Sequence, residues 1–173
     1  MGKDKKPFTL YILIFLLLIL SAAALFGGFG LMYDPSGEYL GMPPEVLELL
    51  PFESFFTPGL VLGFFLGLLP LLLIYPLLTR PHWKWAHVFN IYRNRHWAWT
   101  YSLYTGLMVI IWIHVQIILI GYQFWIQSAV AILGLLILIF TLMPGVMAYF
   151  RRSRPHKSDN REKGTGGFVS SHR

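Results

Sequence analysis

Four long apolar stretches constrain the fold of this chain more than any other feature. They cover about residues 8–33, 55–78, 98–120 and 126–150, and none contains Asp, Glu, Lys or Arg. A helix of about 20 apolar residues crosses the hydrocarbon core of a bilayer. Only 13% of all residues are charged, whereas soluble domains carry about 25%. The sequence therefore predicts an all-α integral membrane protein, a bundle of four transmembrane helices within residues 1–150.

The first stretch has some features of a secretory signal peptide. MGKDKK is basic, and Ala22-Ala23-Ala24 offers small residues suited to a cleavage site. The apolar run of about 26 residues is longer than the 7 to 15 of a signal peptide. We therefore expect an uncleaved first span.

The 14 Lys and Arg residues predict the topology. Three precede the first span, four lie between the second and third spans, and seven follow the fourth. Residues 34–54 and 121–125 contain none. Because cytoplasmic loops retain Lys and Arg, both termini and the middle loop are predicted to be cytoplasmic in a cell-membrane protein. The net charge of +6 is then mainly a topology signal. Attraction to anionic lipid headgroups comes second, and no nucleic-acid partner is expected.

Both longer loops are predicted to contain short interfacial helices. In the first loop, Pro44 suits the first turn of a helix on which Glu45 and Glu48 share one face. Its acidic residues lack the spacing of a metal-binding loop, which favours a solvated acidic face. In the second loop, an amphipathic helix would carry an aromatic belt at Trp83, Trp85, Trp97 and Trp99. The residues assigned to the lipid-headgroup region are Arg80, Lys84, Trp85, Arg93, Arg95, Arg151, Arg152 and Arg154.

Residues 151–173 form a separate segment. They are polar and basic, with too few apolar side chains to pack. We expect a disordered cytoplasmic tail that begins with a headgroup anchor, Arg151-Arg152-Ser153-Arg154.

Small residues predict where the spans pack together. Membrane helices associate through close contacts at small side chains. Span two carries Gly59, Gly63 and Gly67 at spacing four, near its outer end. Span one offers Ala23 with Gly27, and Ala24 with Gly28, near its outer end. We expect spans one and two to pack closely there, and Pro70 and Pro76 to bend the inner half of span two.

The stretch IIWIHVQIILIGY places His114 and Gln116 inside the third span. Two positions correspond to about 200° around a helix, so their side chains point to opposite faces. For Gln116, an interhelical hydrogen bond and contact with a ligand both stay open. For His114, a structural hydrogen bond to a carbonyl or tyrosine is favoured over ligand contact. Candidate ligand-binding residues are Gln116, Trp112, Thr105 and Tyr101 on one polar stripe, with His114 on another.

Several kinds of chemistry have no residues to support them. The chain has no cysteine, which excludes disulfides and thiolate chemistry. His114 is the only histidine within a span, and no carboxylate lies in any span. Haem, a metal site and a proton relay are therefore not expected, and no cofactor is predicted.

The motifs DPSG and LGMPPEVLELLPFESFFTPG, followed after a basic aromatic loop by IWIHVQIILIGY, carry a resemblance. Over roughly residues 10–145 the chain resembles small uncharacterised four-span membrane proteins of prokaryotes. It is more distantly similar, by topology alone, to the DoxX-like four-helix group. The resemblance implies a four-helix fold and transfers no activity. In such proteins the position of Gln116 is often a glutamate, so glutamine here weakens any acid–base role.

Three functional hypotheses follow. The first is a non-catalytic accessory or scaffold subunit, which would act through a protein partner or as a homo-oligomer. The second is a binder or carrier of a lipid, quinone or isoprenoid between the helices. An enzyme comes third, because no geometry links the acids of the first loop to a nucleophile. In every case the lipid bilayer, with anionic headgroups on the cytoplasmic side, is an expected partner.

Overall fold

The computed structural model describes residues 5–83, 85–92, 94–122 and 125–151, except for the side chain of His87. Predictions that concern Lys84, Arg93, Arg152, Arg154 and the tail lie outside the described residues. The helices are α1 (Phe8–Tyr33), α2 (Pro44–Glu48), α3 (Phe56–Thr79), α4 (Trp97–Ile120), α5 (Trp125–Leu142) and α6 (Pro144–Tyr149). Helices α1, α3, α4 and α5 are long and apolar enough to cross a membrane, which confirms the predicted number.

The four long helices form an up-and-down bundle. Helix α1 packs against α3 and α5, while α4 packs against α5 and α3. Each helix thus contacts both of its neighbours around the bundle, as in other four-helix bundles with short connections. Large apolar side chains also cover the outer faces of all four helices. Such helices, apolar on every side, are typical of a chain whose solvent is lipid.

The two ends of the bundle differ in charge. At one end, which we call the acidic end, residues 34–55 contain every carboxylate in the described part of the chain. There α2 packs its Val46 side chain into a small apolar cluster with Leu31, Phe55 and Ile120. The opposite end, which we call the basic end, carries Arg80, Arg95 and Arg151. Residues 85–92 at that end form a 3₁₀ turn, Trp85–His87, followed by irregular backbone, a shorter helical segment than predicted.

A close backbone contact joins α1 and α3. A Cβ atom at Gly28 would lie 2.7 Å from the Cα of Gly63 and 2.8 Å from the carbonyl oxygen of Gly59. At Gly67 it would lie 2.9 Å from the side chain of Leu25. The three glycines of span two thus make the predicted contact with α1, and Gly28 is their central partner there.

The structure places the other candidates on α1 away from this contact. The side chain of Ala23 is exposed and Gly27 is half-buried. A Cβ atom at Gly27 would have the Leu62 side chain as its nearest neighbour, at 3.3 Å. One residue corresponds to about 100° of rotation on a helix. The contact therefore follows the second spacing considered for α1, Ala24 with Gly28, and not Ala23 with Gly27.

A second glycine contact joins α4 and α5, and the sequence did not predict it. A Cβ atom at Gly106 would lie 2.7 Å from the Leu138 side chain and 3.2 Å from the carbonyl oxygen of Gly134. At Gly134 it would lie 2.7 Å from Val109. These glycines stand alone in their helices, so no spacing-four repeat marks them.

Helix α3 stays helical through both prolines. Residues 62–68 adopt a π-helix, and the N–H of Leu69 donates to the carbonyl of Phe64. Pro70 follows directly and has no N–H to continue the ladder. Wider π turns are a known way for a helix to absorb such an interruption. Helix α3 therefore has a π segment just before Pro70, and the bend predicted for its inner half stays a prediction.

The fourth apolar stretch forms two helices where the sequence predicted one span to residue 150. Helix α5 ends at Leu142, Met143 has an extended backbone with ψ of 136°, and Pro144 begins α6. A residue before proline is disfavoured in the α-region, and proline suits the first turn of a helix. The span therefore ends at Leu142.

The α1–α3 contact predicts different effects for two neighbouring substitutions. Gly28→Ala forces a methyl group against the backbone of Gly63 and should destabilise the protein by about 1–3 kcal/mol. Gly27→Ala meets only a flexible leucine side chain and should change stability much less. Thermal unfolding of both variants in the same detergent measures the difference. Equal melting temperatures would contradict the described contact.

Candidate functional site

The polar stripe predicted on α4 lies at the border of a helix interface. Tyr101, Thr105, Trp112 and Gln116 are all half-buried. The buried face is displaced by one residue and consists of Ser102, Gly106, Val109 and Ile113. The hydroxyl of Thr105 donates to the carbonyl of Tyr101 at 3.0 Å, within its own helix. A ligand role for this stripe stays a prediction.

The structure separates His114 and Gln116, as helix geometry predicted. His114 is exposed on the outer surface of α4, whereas Gln116 is half-buried. Neither side chain makes a hydrogen bond within the described ranges. The structural hydrogen bond expected for His114 is therefore not formed with any described residue.

The polar residues that do converge lie at the basic end, and His96 connects three segments there. Its backbone N–H donates to the carbonyl of Phe150 at 2.8 Å. Its ring Nδ1 accepts from the N–H of Ala98 at 3.2 Å and so caps α4. Its Nε2 lies 3.1 Å from the carbonyl oxygen of Pro81. Because Nδ1 accepts, Nε2 carries the proton and donates to Pro81.

A second set of polar contacts holds Phe89, Asn90 and Arg95 against α4. The hydroxyl of Thr100 donates to Oδ1 of Asn90 at 2.6 Å, and Nδ2 of Asn90 donates to the carbonyl of Arg95 at 3.1 Å. The hydroxyl of Tyr104 donates to the carbonyl of Phe89 at 3.1 Å. Asn90 and Thr100 are both buried, so these bonds hold the irregular segment in one position.

Two arginines predicted to contact headgroups also hold α6 in place. Nη1 of Arg80 donates to the carbonyl of Tyr149 at 2.9 Å, and its guanidinium lies 4.0 Å from the centre of the Tyr149 ring. Nη1 of Arg95 donates to the carbonyl of Met147, with the guanidinium 4.6 Å from the centre of the Trp99 ring. Carbonyls at a helix C-terminus lack internal partners and favour cations.

The predicted aromatic belt divides into an inner and an outer pair. Trp97 and Trp99 are each 3% exposed and belong to the core, whereas Trp83 and Trp85 are exposed. Trp83 stacks between the rings of Trp85 and Trp97, at 5.4 Å from each. The indole N–H of Trp97 donates to Pro81, and that of Trp99 to Thr141. The inner pair therefore stabilises the end of the bundle.

An open groove of about 1000 Å³ lies between these elements, and we call it the basic groove. Its lining residues are Ile91, Tyr92, Asn94, Arg95, Trp99, Leu103, Leu142, Pro144, Met147, Ala148 and Arg151. The two arginines come from segments joined by an antiparallel bridge between Arg95 and Arg151. The remaining lining is mostly apolar or aromatic. Sequence analysis missed this groove because it depends on the helix break at Pro144.

No described carboxylate offsets the positive charge around the basic groove. The described acids all lie in residues 34–55, at the acidic end. There the hydroxyl of Ser36 and the N–H of Tyr39 donate to Asp34, and these bonds lower the pKa of its carboxyl group. The five described acids therefore all lie in the first loop, at the end of the bundle opposite the basic groove. The described ranges hold no group of three His, Asp or Glu residues able to bind a metal ion.

Comparisons with models of protein families, with curated proteins and with solved structures gave no match. The resemblance to small four-span proteins and to the DoxX-like group therefore stays a prediction. The basic groove and the contacts that build it are the basis for assigning a function.

The role of His96 predicts a loss of stability at the basic end. His96→Ala removes the cap of α4 and the bond to Pro81, and should destabilise the protein by about 1–3 kcal/mol. Hydrogen exchange of the peptide containing Ala98 should also become faster. His82→Ala is the control, since the His82 ring is exposed and caps no helix. Similar effects of the two substitutions would contradict this role.

Proposed function

We propose that this chain is a multi-pass cell-membrane protein that binds a lipophilic amphiphile in the basic groove. Four helices of suitable length and hydropathy support the membrane location. The distribution of Lys and Arg supports a cytoplasmic position for the basic end and both termini. The observation that carries the proposal is the groove itself, which is lined by two arginines and by mostly apolar or aromatic side chains.

The position of the basic groove suits a molecule with a polar and an apolar part. Leu103 lies six residues into α4, about 9 Å from Trp97 at 1.5 Å per residue. Arg95 precedes the helix, at the level where headgroups would meet the protein. The groove would therefore extend from the headgroup region towards the hydrocarbon. Binding sites of this kind are mostly apolar with a few polar groups that fix orientation.

Exposed apolar residues in both loops support their location at the membrane surface. Val88, Phe89 and Ile91 at the basic end are 76%, 69% and 75% exposed. At the acidic end, Leu49 beside α2 is 54% exposed. Apolar side chains in short surface segments are stabilised when they enter the interfacial layer of a bilayer. The mouth of the basic groove would then lie within that layer.

Filling the basic groove should prevent binding. Ala148 is exposed and lines the groove, so Ala148→Trp should block it without disturbing the core. The probe is phosphatidylcholine with a photoreactive diazirine in one acyl chain, incorporated with the protein into nanodiscs. Labelling of groove peptides, measured by mass spectrometry, should fall several-fold.

Ala23→Trp is the matched control, because Ala23 is an exposed alanine on α1, outside the groove. Labelling that is equal in both variants and in the unsubstituted protein would refute binding in the groove.

We also propose a second candidate, an accessory role through contact with another membrane helix, and the exposed His114 supports it. His114 lies six residues, about 9 Å, from the end of α4 at Ile120. A polar side chain at that depth normally finds a partner inside the membrane. A helix from a second copy or from another protein would provide one. This role concerns the outer face of α4 and is independent of the basic groove.

Replacing His114 should weaken such an association. An interhelical hydrogen bond contributes about 1 kcal/mol, so His114→Leu should lower the association constant roughly fivefold and with it the associated fraction. Native mass spectrometry of protein released from its own membrane measures that fraction. Ile118→Leu on the same exposed face is the control. A monomer that carries no other protein in the unsubstituted form would rule out this role.

A further inference from the structure

We propose that the amphiphile in the basic groove is an anionic phospholipid whose phosphate lies between the guanidinium groups of Arg95 and Arg151. This inference rests on the proposed function and adds the chemical class of the ligand. It depends on three observations: the pairing of the two arginines, the lack of a described counter-charge, and the apolar extension of the groove.

The backbone places the two arginines directly opposite each other. Arg95 and Arg151 face one another in an antiparallel bridge, and the adjacent bond from His96 N–H to the Phe150 carbonyl is 2.8 Å long. Side chains at opposed positions have Cβ atoms about 4.5–5.5 Å apart. Like charges at such positions repel and are destabilising. An anion bound between them would convert this repulsion into attraction.

The groups that contact the two arginines do not neutralise their positive charge. The Arg95 guanidinium contacts the Met147 carbonyl and the Trp99 ring, which are neutral groups. Arg151 is exposed. The described carboxylates lie at the opposite end of the bundle. A guanidinium has five N–H donors, so Arg95 keeps donors for a phosphate while it holds α6. One arginine guanidinium can donate two parallel hydrogen bonds to two oxygens of the same phosphate.

The apolar part of the basic groove favours a phospholipid over a free phosphate ion. Leu103, Leu142 and Met147 line the groove together with the arginines. Free phosphate would bond to the guanidinium groups but leave these side chains uncovered. An acyl chain would cover them and so gain hydrophobic stabilisation. The headgroup of phosphatidylcholine also carries a quaternary ammonium group. The described groove residues include no carboxylate that could pair with this positive charge.

The experiment compares two photoreactive lipids that share one acyl chain. Phosphatidylglycerol and phosphatidylcholine probes are each added to phosphatidylcholine nanodiscs that contain the full chain. Groove peptides should label roughly tenfold more with the phosphatidylglycerol probe, because both headgroups offer the same phosphate but the two arginines repel the choline ammonium group. Arg151→Gln should remove most of the preference. Lys6→Gln, an exposed cation outside the groove, should retain it.

The outcomes separate this inference from the proposed function. Equal labelling by both probes, still reduced by Ala148→Trp, would overturn the anionic class and keep lipid binding. Labelling that Ala148→Trp does not change would overturn both. An unchanged preference in Arg151→Gln would overturn the headgroup position. Millimolar inorganic phosphate should not compete with the phosphatidylglycerol probe, and strong competition would assign the site to a free anion instead.

Discussion

The hydrogen bonds that hold the end of α6 determine the rest of the basic end. The carbonyls of residues 147, 149 and 150 accept from Arg95, Arg80 and His96, which come from two different segments of the chain. Carbonyls at a helix terminus have no partner within the helix, and in lipid an unpaired one is costly. These donors supply the hydrogen bonds that the terminal carbonyls lack within the helix, and they have a second effect. They join the loop before α4 to the residues after α5.

The basic groove is a consequence of this arrangement. Pro144 ends the fourth span, and α6 can then turn back towards the loop. Once its carbonyls are held, Arg151 is opposite Arg95 and Trp99 lies against the Arg95 guanidinium. Each contact is local, and together they surround the groove. A headgroup site at this position therefore depends on the same interactions that complete the fold.

Part of the fold and of the basic end could be predicted from the sequence, and physical reasons explain why the other parts could not. Apolar length predicts four helices, and spacing four predicts the glycine face of α3. The rotation of α1 and α4 could not be predicted, because helices that are apolar all round have no polar face to orient them. This is why Ala23 lies one residue away from the glycine contact of α1, and the Gln116 stripe lies beside the buried face of α4. The break at Pro144 had a signal, the proline itself, but apolar residues on both sides concealed it. The partners of Arg80 and Arg95 depend on tertiary contacts alone.

The concentration of lipid around a membrane protein changes what a binding site must achieve. A ligand that binds only the folded state adds stability that grows with the ratio of its concentration to its dissociation constant. Phospholipid is the solvent of the four spans, so even weak binding would keep the basic groove occupied. In the proposed site, the two opposed arginines would add selection among headgroups, since every phospholipid offers an acyl chain to Leu103 and Met147. Arg95 and Arg151, the residues that would discriminate between headgroups, both lie outside the uncharged spans. The charges from which the positive-inside rule predicts the orientation of the chain would then also choose the lipid bound beside it.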